Sequence, residues 1–121
     1  MNDEPRDLRD RTKSLALRVI RLFTALPRRT EAQVIGKQVL RSGTSVGANY
    51  REAYRARSTA EFIAKVGDCL KELEETAYWL ELITESGIFP ADRINPLADE
   101  CNQLIAIFTT ISKKTKTHGT S

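Results

Sequence analysis

Gly43-Thr44-Ser45-Val46-Gly47 has the G-x-S-x-G spacing of a hydrolase nucleophile elbow, where a strained strand-to-helix turn lifts a serine toward a histidine base. Here the run lies inside a helical apolar period, and the sole histidine, His118, is far away in sequence, so Ser45 lacks a base to activate its hydroxyl. Nor is it a phosphate loop, since it has no G-K-[ST] ending and no preceding strand. One histidine and two cysteines, Cys69 and Cys101, give no metal-ligand spacing. Glu72, Glu74, Glu75, Glu81 and Glu85 read as a solvated helix face, and a Glu-x-x-His iron site needs histidines that are missing. The expectation is a non-enzyme with no cofactor and no metal.

The elements that position these residues follow from apolar spacing. Leu8, Leu15, Val19, Leu22 and Leu26, widened by Ala16, Ile20 and Phe23, predict a first helix over about 7–26. After Pro27, Thr30-Glu31-Ala32-Gln33 has capping-box form and starts a second helix near Glu31. Ser58-Thr59-Ala60-Glu61 repeats the pattern for a third helix carrying Phe62, Val66, Cys69, Leu70, Leu73, Ala77 and Leu80 and ending at Ser86-Gly87. Asn95-Pro96 suggests a cap and first-turn proline for a fourth, which carries Leu97, Cys101, Leu104, Ile105, Phe108 and Ile111 to about Lys113. Four long helices with short links predict an all-α, antiparallel up-down-up-down four-helix bundle as a single domain over 1–113, with 114–121 a flexible basic tail. The glycines of the second helix are read as points of close helix approach, at about 1 kcal/mol of helix propensity each.

The second helix is unusually polar along its stripe. Ser42, Ser45, Asn49 and Glu52 share a face with Val46 and Ala53. If the second and third helices turn near Arg57-Ser58, Arg41 falls opposite Glu75, Ser45 opposite Glu72 and Glu52 opposite Lys65. Such a polar ladder would fix hairpin register at small net stability, the alternative being a ligand site. Charge is split along the same hairpin: residues 28–57 hold seven basic and two acidic side chains, whereas 58–87 hold two basic and seven acidic. Neighbouring helices could simply neutralise each other. The alternative is a nucleic-acid surface built from Arg28, Arg29, Arg51, Arg55 and Arg57.

Composition bounds these possibilities. A chain of 121 residues with 40% hydrophobic and 29% charged side chains, but only 7% aromatics, fits one helical domain and neither a disordered chain nor a turn-rich β protein. A net charge of +3 permits an anionic partner without requiring one. Two dispersed cysteines suggest free core thiols in a reducing cytosol, and no signal segment or run of about 18 apolar residues is visible, so the expected location is cytoplasmic and not in a membrane.

The runs Arg41-Ser42-x-x-Ser45-x-x-Ala48-Asn49-x-x-Glu52-Ala53, Ala56-x-Ser58-x-x-Glu61-Phe62-x-x-Lys65 and Leu70-Lys71-Glu72-x-x-Glu75-Thr76-x-Tyr78-Trp79-Leu80 resemble the 23S rRNA intervening-sequence proteins. The resemblance implies a small bacterial cytosolic four-helix bundle that assembles as a homopentameric ring, with no accepted catalytic residue. A more distant likeness is to the accessory protein of diversity-generating retroelements, a basic pentamer that binds reverse transcriptase and nucleic acid. A ring would use the apolar surplus of Tyr78, Trp79, Leu82 and Ile83 as subunit contacts, unless Trp79 instead closes the bundle. Two functions are therefore expected: an oligomeric adaptor binding RNA or DNA through the Arg-rich second helix, or a protein-interaction scaffold whose charge separation serves self-assembly only.

Overall fold

The computed structural model describes residues 5–119, with side chains from 7 to 116, as four helices: α1 (Pro5–Ala25), α2 (Thr30–Tyr54), α3 (Thr59–Glu85) and α4 (Ala91–Gly119). Each helix packs on its neighbour in sequence, α1 on α2, α2 on α3 and α3 on α4, while α1 and α4 touch only sparsely. The expected four-helix bundle is therefore present, with consecutive helices antiparallel. Its core runs from Leu8, Leu15 and Val19 of α1 through Val39, Val46, Val66, Leu73 and Leu80 to Cys101, Leu104 and Phe108 of α4. Tyr50 of α2 meets Phe108 of α4 edge-on across the bundle, with ring centroids 5.6 Å apart.

Glycines set the distance between α1 and α2. Gly36, Gly43 and Gly47 recur at helical spacing, and their missing side chains leave room for Leu26 and Phe23, for Val19 and for Thr12, respectively. A Cβ on Gly43 would lie 2.8 Å from both Val19 methyls, so the two helices could not come this close with any larger residue there. The close approach expected from the sequence is thus made toward α1.

The ends of α3 follow local chemistry. Ser58 Oγ accepts the Glu61 amide at 3.0 Å, and Glu61 Oε1 accepts the Arg57 amide at 2.9 Å, a capping pair reaching one residue further back than the usual box. At the other end Gly87, at φ 76°, takes the left-handed position, with Ile88 N–H bonded to the Ile83 carbonyl and Gly87 N–H to that of Thr84. Ile88, 5% exposed, then folds back into the core and closes the motif.

Three expectations need correction. Thr30 is not a cap: α2 already includes it, Arg29 occupies the cap position without a side-chain bond, and Gln33 Nε2 donates instead to the Pro27 carbonyl at 2.9 Å. Asn95 does not start α4, which begins one turn earlier at Ala91. That extra turn places Ile94 on the buried stripe with Leu97, Cys101 and Leu104, so core burial outweighs the lost helical bond of Pro96. At the other end α4 continues past Lys113 to Gly119.

Gly43→Ala should therefore cost about 1–2 kcal/mol, as overpacking against a stiff valine outweighs the gain in helix propensity. Gly67→Ala, in α3 with nothing within 4 Å of its would-be methyl, should gain about 0.5–1 kcal/mol. Urea melts of the two variants, shifting in opposite directions, check the close approach.

Candidate functional site

Facing α3, the second helix presents the polar ladder. Arg41 forks across one helical turn, with Nη2 on Glu75 Oε1 at 2.5 Å and Nη1 on Glu72 Oε1 at 3.2 Å. Toward the hairpin turn, Lys65 Nζ pairs with Glu52 at 2.5 Å. The hydrogen bond to Glu75 raises the pKa of Arg41, and that to Glu52 raises the pKa of Lys65. The expected Arg41–Glu75 and Glu52–Lys65 rungs therefore form. The Ser45–Glu72 rung does not: the short Ser45 side chain donates to the Arg41 carbonyl at 2.7 Å, and Glu72 is taken by the longer Arg41. Asn49 is half-buried on the same face.

The rung that is truly interior is a pair of hydroxyls. Thr76 Oγ1 donates to Ser42 Oγ at 2.8 Å, Ser42 Oγ donates to the Gln38 carbonyl at 2.9 Å, and both residues are fully buried. Next to it Cys69 Sγ donates to the Val46 carbonyl at 3.6 Å. Burial pushes the Cys69 and Cys101 thiols up to about 12, which removes both as nucleophiles at neutral pH. The hydroxyls of Thr44 and Ser45 are likewise bonded to carbonyls one turn back, so the G-x-S-x-G run is ordinary helix interior.

The arginine surface is divided. Because α2 has 25 residues, its two ends lie about 37 Å apart. Arg28 and Arg29 stand at one end, where Arg29 pairs with Glu31 at 3.1 Å. Arg51 and Arg55 stand at the other, where they meet Arg9 of α1 and Tyr54 around a small cavity of about 50 Å³. Arg57 is exposed in the adjoining link, and the antiparallel order brings the basic last turns of α4, with Lys113, Lys114 and Lys116, to the same end. Glu61 there is engaged as a capping residue and Glu52 by Lys65; Asp7 and Asp10 of α1 and Asp68 of α3 are further carboxylates toward this end among the described residues.

The four expected interface residues separate by depth. Tyr78 is 52% exposed, Leu82 is half-buried, and Trp79 is half-buried against the core with its Nε1 buried and without a hydrogen-bond partner. Ile83 is fully buried within the bundle, because it continues the Leu73, Thr76 and Leu80 stripe, and so is not a surface contact. Several features escaped the sequence reading. Arg11 bridges to Glu100 at 2.9 Å and so ties α1 to α4; Arg18, Arg21 and Arg93 line a groove of about 360 Å³ between those helices over Leu22, Phe89 and Leu97. Their residues lie some seventy or more positions apart, beyond the reach of any periodicity.

Among the described residues no three His, Cys, Asp or Glu side chains group as metal ligands, and no helix is long and apolar enough to cross a membrane. The class is thus a four-helix bundle with one basic end and a polar interhelical seam. The 23S rRNA-intervening sequence protein family model matches residues 6–110, and the chain belongs to that family. Its fold is similar to the crystal structure of a protein of unknown function from the S23 ribosomal protein family of Bacteroides thetaiotaomicron, with a TM-score of 0.85, 35% identity, and coverage of 93% of this chain and 99% of that one. A search of curated proteins gives no match.

The seam should divide its stability by burial and not by charge. Arg41 and Glu75 side chains are 50% and 35% exposed, so their double-mutant coupling should be about 0.3–1 kcal/mol and shrink in 1 M salt. The buried Ser42–Thr76 pair should couple by about 1 kcal/mol at any salt concentration. Urea melts of the Ala and Val variants of both cycles, at low and high salt, check the ranking.

Proposed function

We propose that this chain is a non-enzymatic, oligomeric adaptor of the bacterial cytosol that binds RNA or DNA through the basic end formed by Arg9, Arg51, Arg55 and Arg57. The supporting observation is that Arg9, Arg51 and Arg55 converge from two helices with no carboxylate partner among the described residues. Guanidinium forks match phosphate geometry, and a cluster of them gains most from an anion that screens their mutual repulsion. In a ring of five, as the family resemblance implies, the basic end would recur in every copy and multiply weak contacts into useful avidity. Lacking any base-reading module, it would select shape over sequence.

The other reading, a scaffold whose charges serve self-assembly only, draws on a different pair of surfaces. Glu74, Tyr78, Glu81 and Glu85 form one exposed stripe on α3, opposite in charge to the Arg18, Arg21 and Arg93 groove.

Electrophoretic titrations with structured RNA, single-stranded RNA and duplex DNA at increasing salt separate the two. Nucleic-acid binding predicts log affinity falling linearly with log salt by about 0.7–0.9 per phosphate contacted. The Arg51→Gln/Arg55→Gln double variant should reduce that slope by about 0.7–0.9, the share of one phosphate, and Arg28→Gln/Arg29→Gln should leave it unchanged. Absence of binding at low salt, with an oligomer whose mass by light scattering falls as salt rises, would favour the scaffold.

A further inference from the structure

Ion pairing and helix electrostatics do not explain the Arg9, Arg51 and Arg55 cluster. Arg51 in the last turn of α2 and Arg55 at its C-cap are four residues apart, where like charges repel, and a single cation in the last turn would already satisfy the helix dipole. Arg9 is less explicable still, because it lies near the N-terminal, positive end of α1. The packing of Gly47 against Thr12 brings these helices together one turn away and places the three arginines around a common cavity.

The cavity is too small for a ring. At about 50 Å³ it has room for a small group such as the two non-bridging oxygens of a backbone phosphate. Tyr54 forms part of the same wall but remains 55% exposed, whereas Tyr50, one turn earlier, is 4% exposed and seated against Phe108. A small notch lined by three arginines thus adjoins an exposed aromatic ring. In a duplex the base faces are stacked and unavailable to such a ring, whereas in a single strand they are free.

Given the nucleic-acid role proposed above, on which this rests, we infer that Arg9, Arg51, Tyr54 and Arg55 form a single-strand site: the arginines hold one backbone phosphate and Tyr54 carries the neighbouring base. Arg57 and the lysines of α4 supply only diffuse attraction, common to single and double strands.

The test is fluorescence anisotropy of the full chain with a labelled ten-nucleotide oligouridylate and with a blunt DNA duplex, for wild type, Tyr54→Ala, Tyr54→Phe, Arg9→Gln and Arg57→Gln. Tyr54→Ala should weaken oligouridylate binding about 5- to 100-fold and leave duplex binding within about twofold, while Tyr54→Phe, which keeps the stacking face, should stay within about twofold on both. Arg9→Gln should weaken oligouridylate more than duplex, and Arg57→Gln should weaken both alike. Thermal melts should be unchanged in Tyr54→Ala, since the ring is exposed; a variant that melts early is replaced by Tyr54→Leu, which keeps apolar bulk without an aromatic face. If wild type binds both probes but Tyr54→Ala changes neither, or weakens both equally, the single-strand site is wrong and the broader nucleic-acid role stands. If wild type binds neither probe at low salt, both fall.

Discussion

The bundle depends on how closely α2 can approach α1. Three glycines on one face of α2 admit Leu26, Val19 and Thr12 to backbone distance, and the consequence extends to both ends of the molecule. At the linker end Leu26 and Phe23 close over Gly36. At the other end the Gly47–Thr12 contact places Arg51 and Arg55 beside Arg9, so the same small residues that look like a loss of helix propensity determine where the charged groups meet. The constraint is steric and tolerates little substitution, because Val19 is branched at Cβ and cannot swing aside.

The opposite flank of α2 is held by a different kind of interaction. Against α3 the helix presents polar groups, and their value differs by burial: Ser42 and Thr76 satisfy each other in the interior, while Arg41, Glu75, Glu52 and Lys65 pair at the surface in contact with water. The surface pairs add little free energy but oppose a shift of register, since sliding α3 by one turn would bring like charges together. Register and stability are thus assigned to different residues of one seam.

The fold was legible because each helix carries a long apolar stripe and the hairpin pairs are local, so Arg41–Glu75 and Glu52–Lys65 follow from a turn position alone. Caps were legible only where nothing competed: Ser58 caps α3 as its spacing suggests, with Glu61 reaching back to Arg57, but at Asn95 the burial of Ile94 started the helix a turn sooner. The basic site was half legible. Arg51, Arg55 and Arg57 stood out as a run, yet Arg28 and Arg29 belong to the far end of a 25-residue helix, a separation that a charge count over a hairpin cannot register. Arg9 was invisible, since its proximity arises from antiparallel packing of α1, and Tyr54 differs from Tyr50 only in facing outward.

Since α1 packs mainly on α2 and touches α4 sparsely, with Arg11–Glu100 as its tie there, the close approach at the glycine seam must do most to hold α1 in place, and with it Arg9. Native-state hydrogen exchange of the α1 amides between Thr12 and Leu22, followed over low concentrations of urea, measures this directly. These amides should exchange only through global unfolding, with the same free energy and urea dependence as the amides of α2 around Gly43. Exchange of α1 at a markedly lower free energy, with α2 and α3 still protected, would mean that α1 detaches on its own and that the glycine seam does not hold the bundle together.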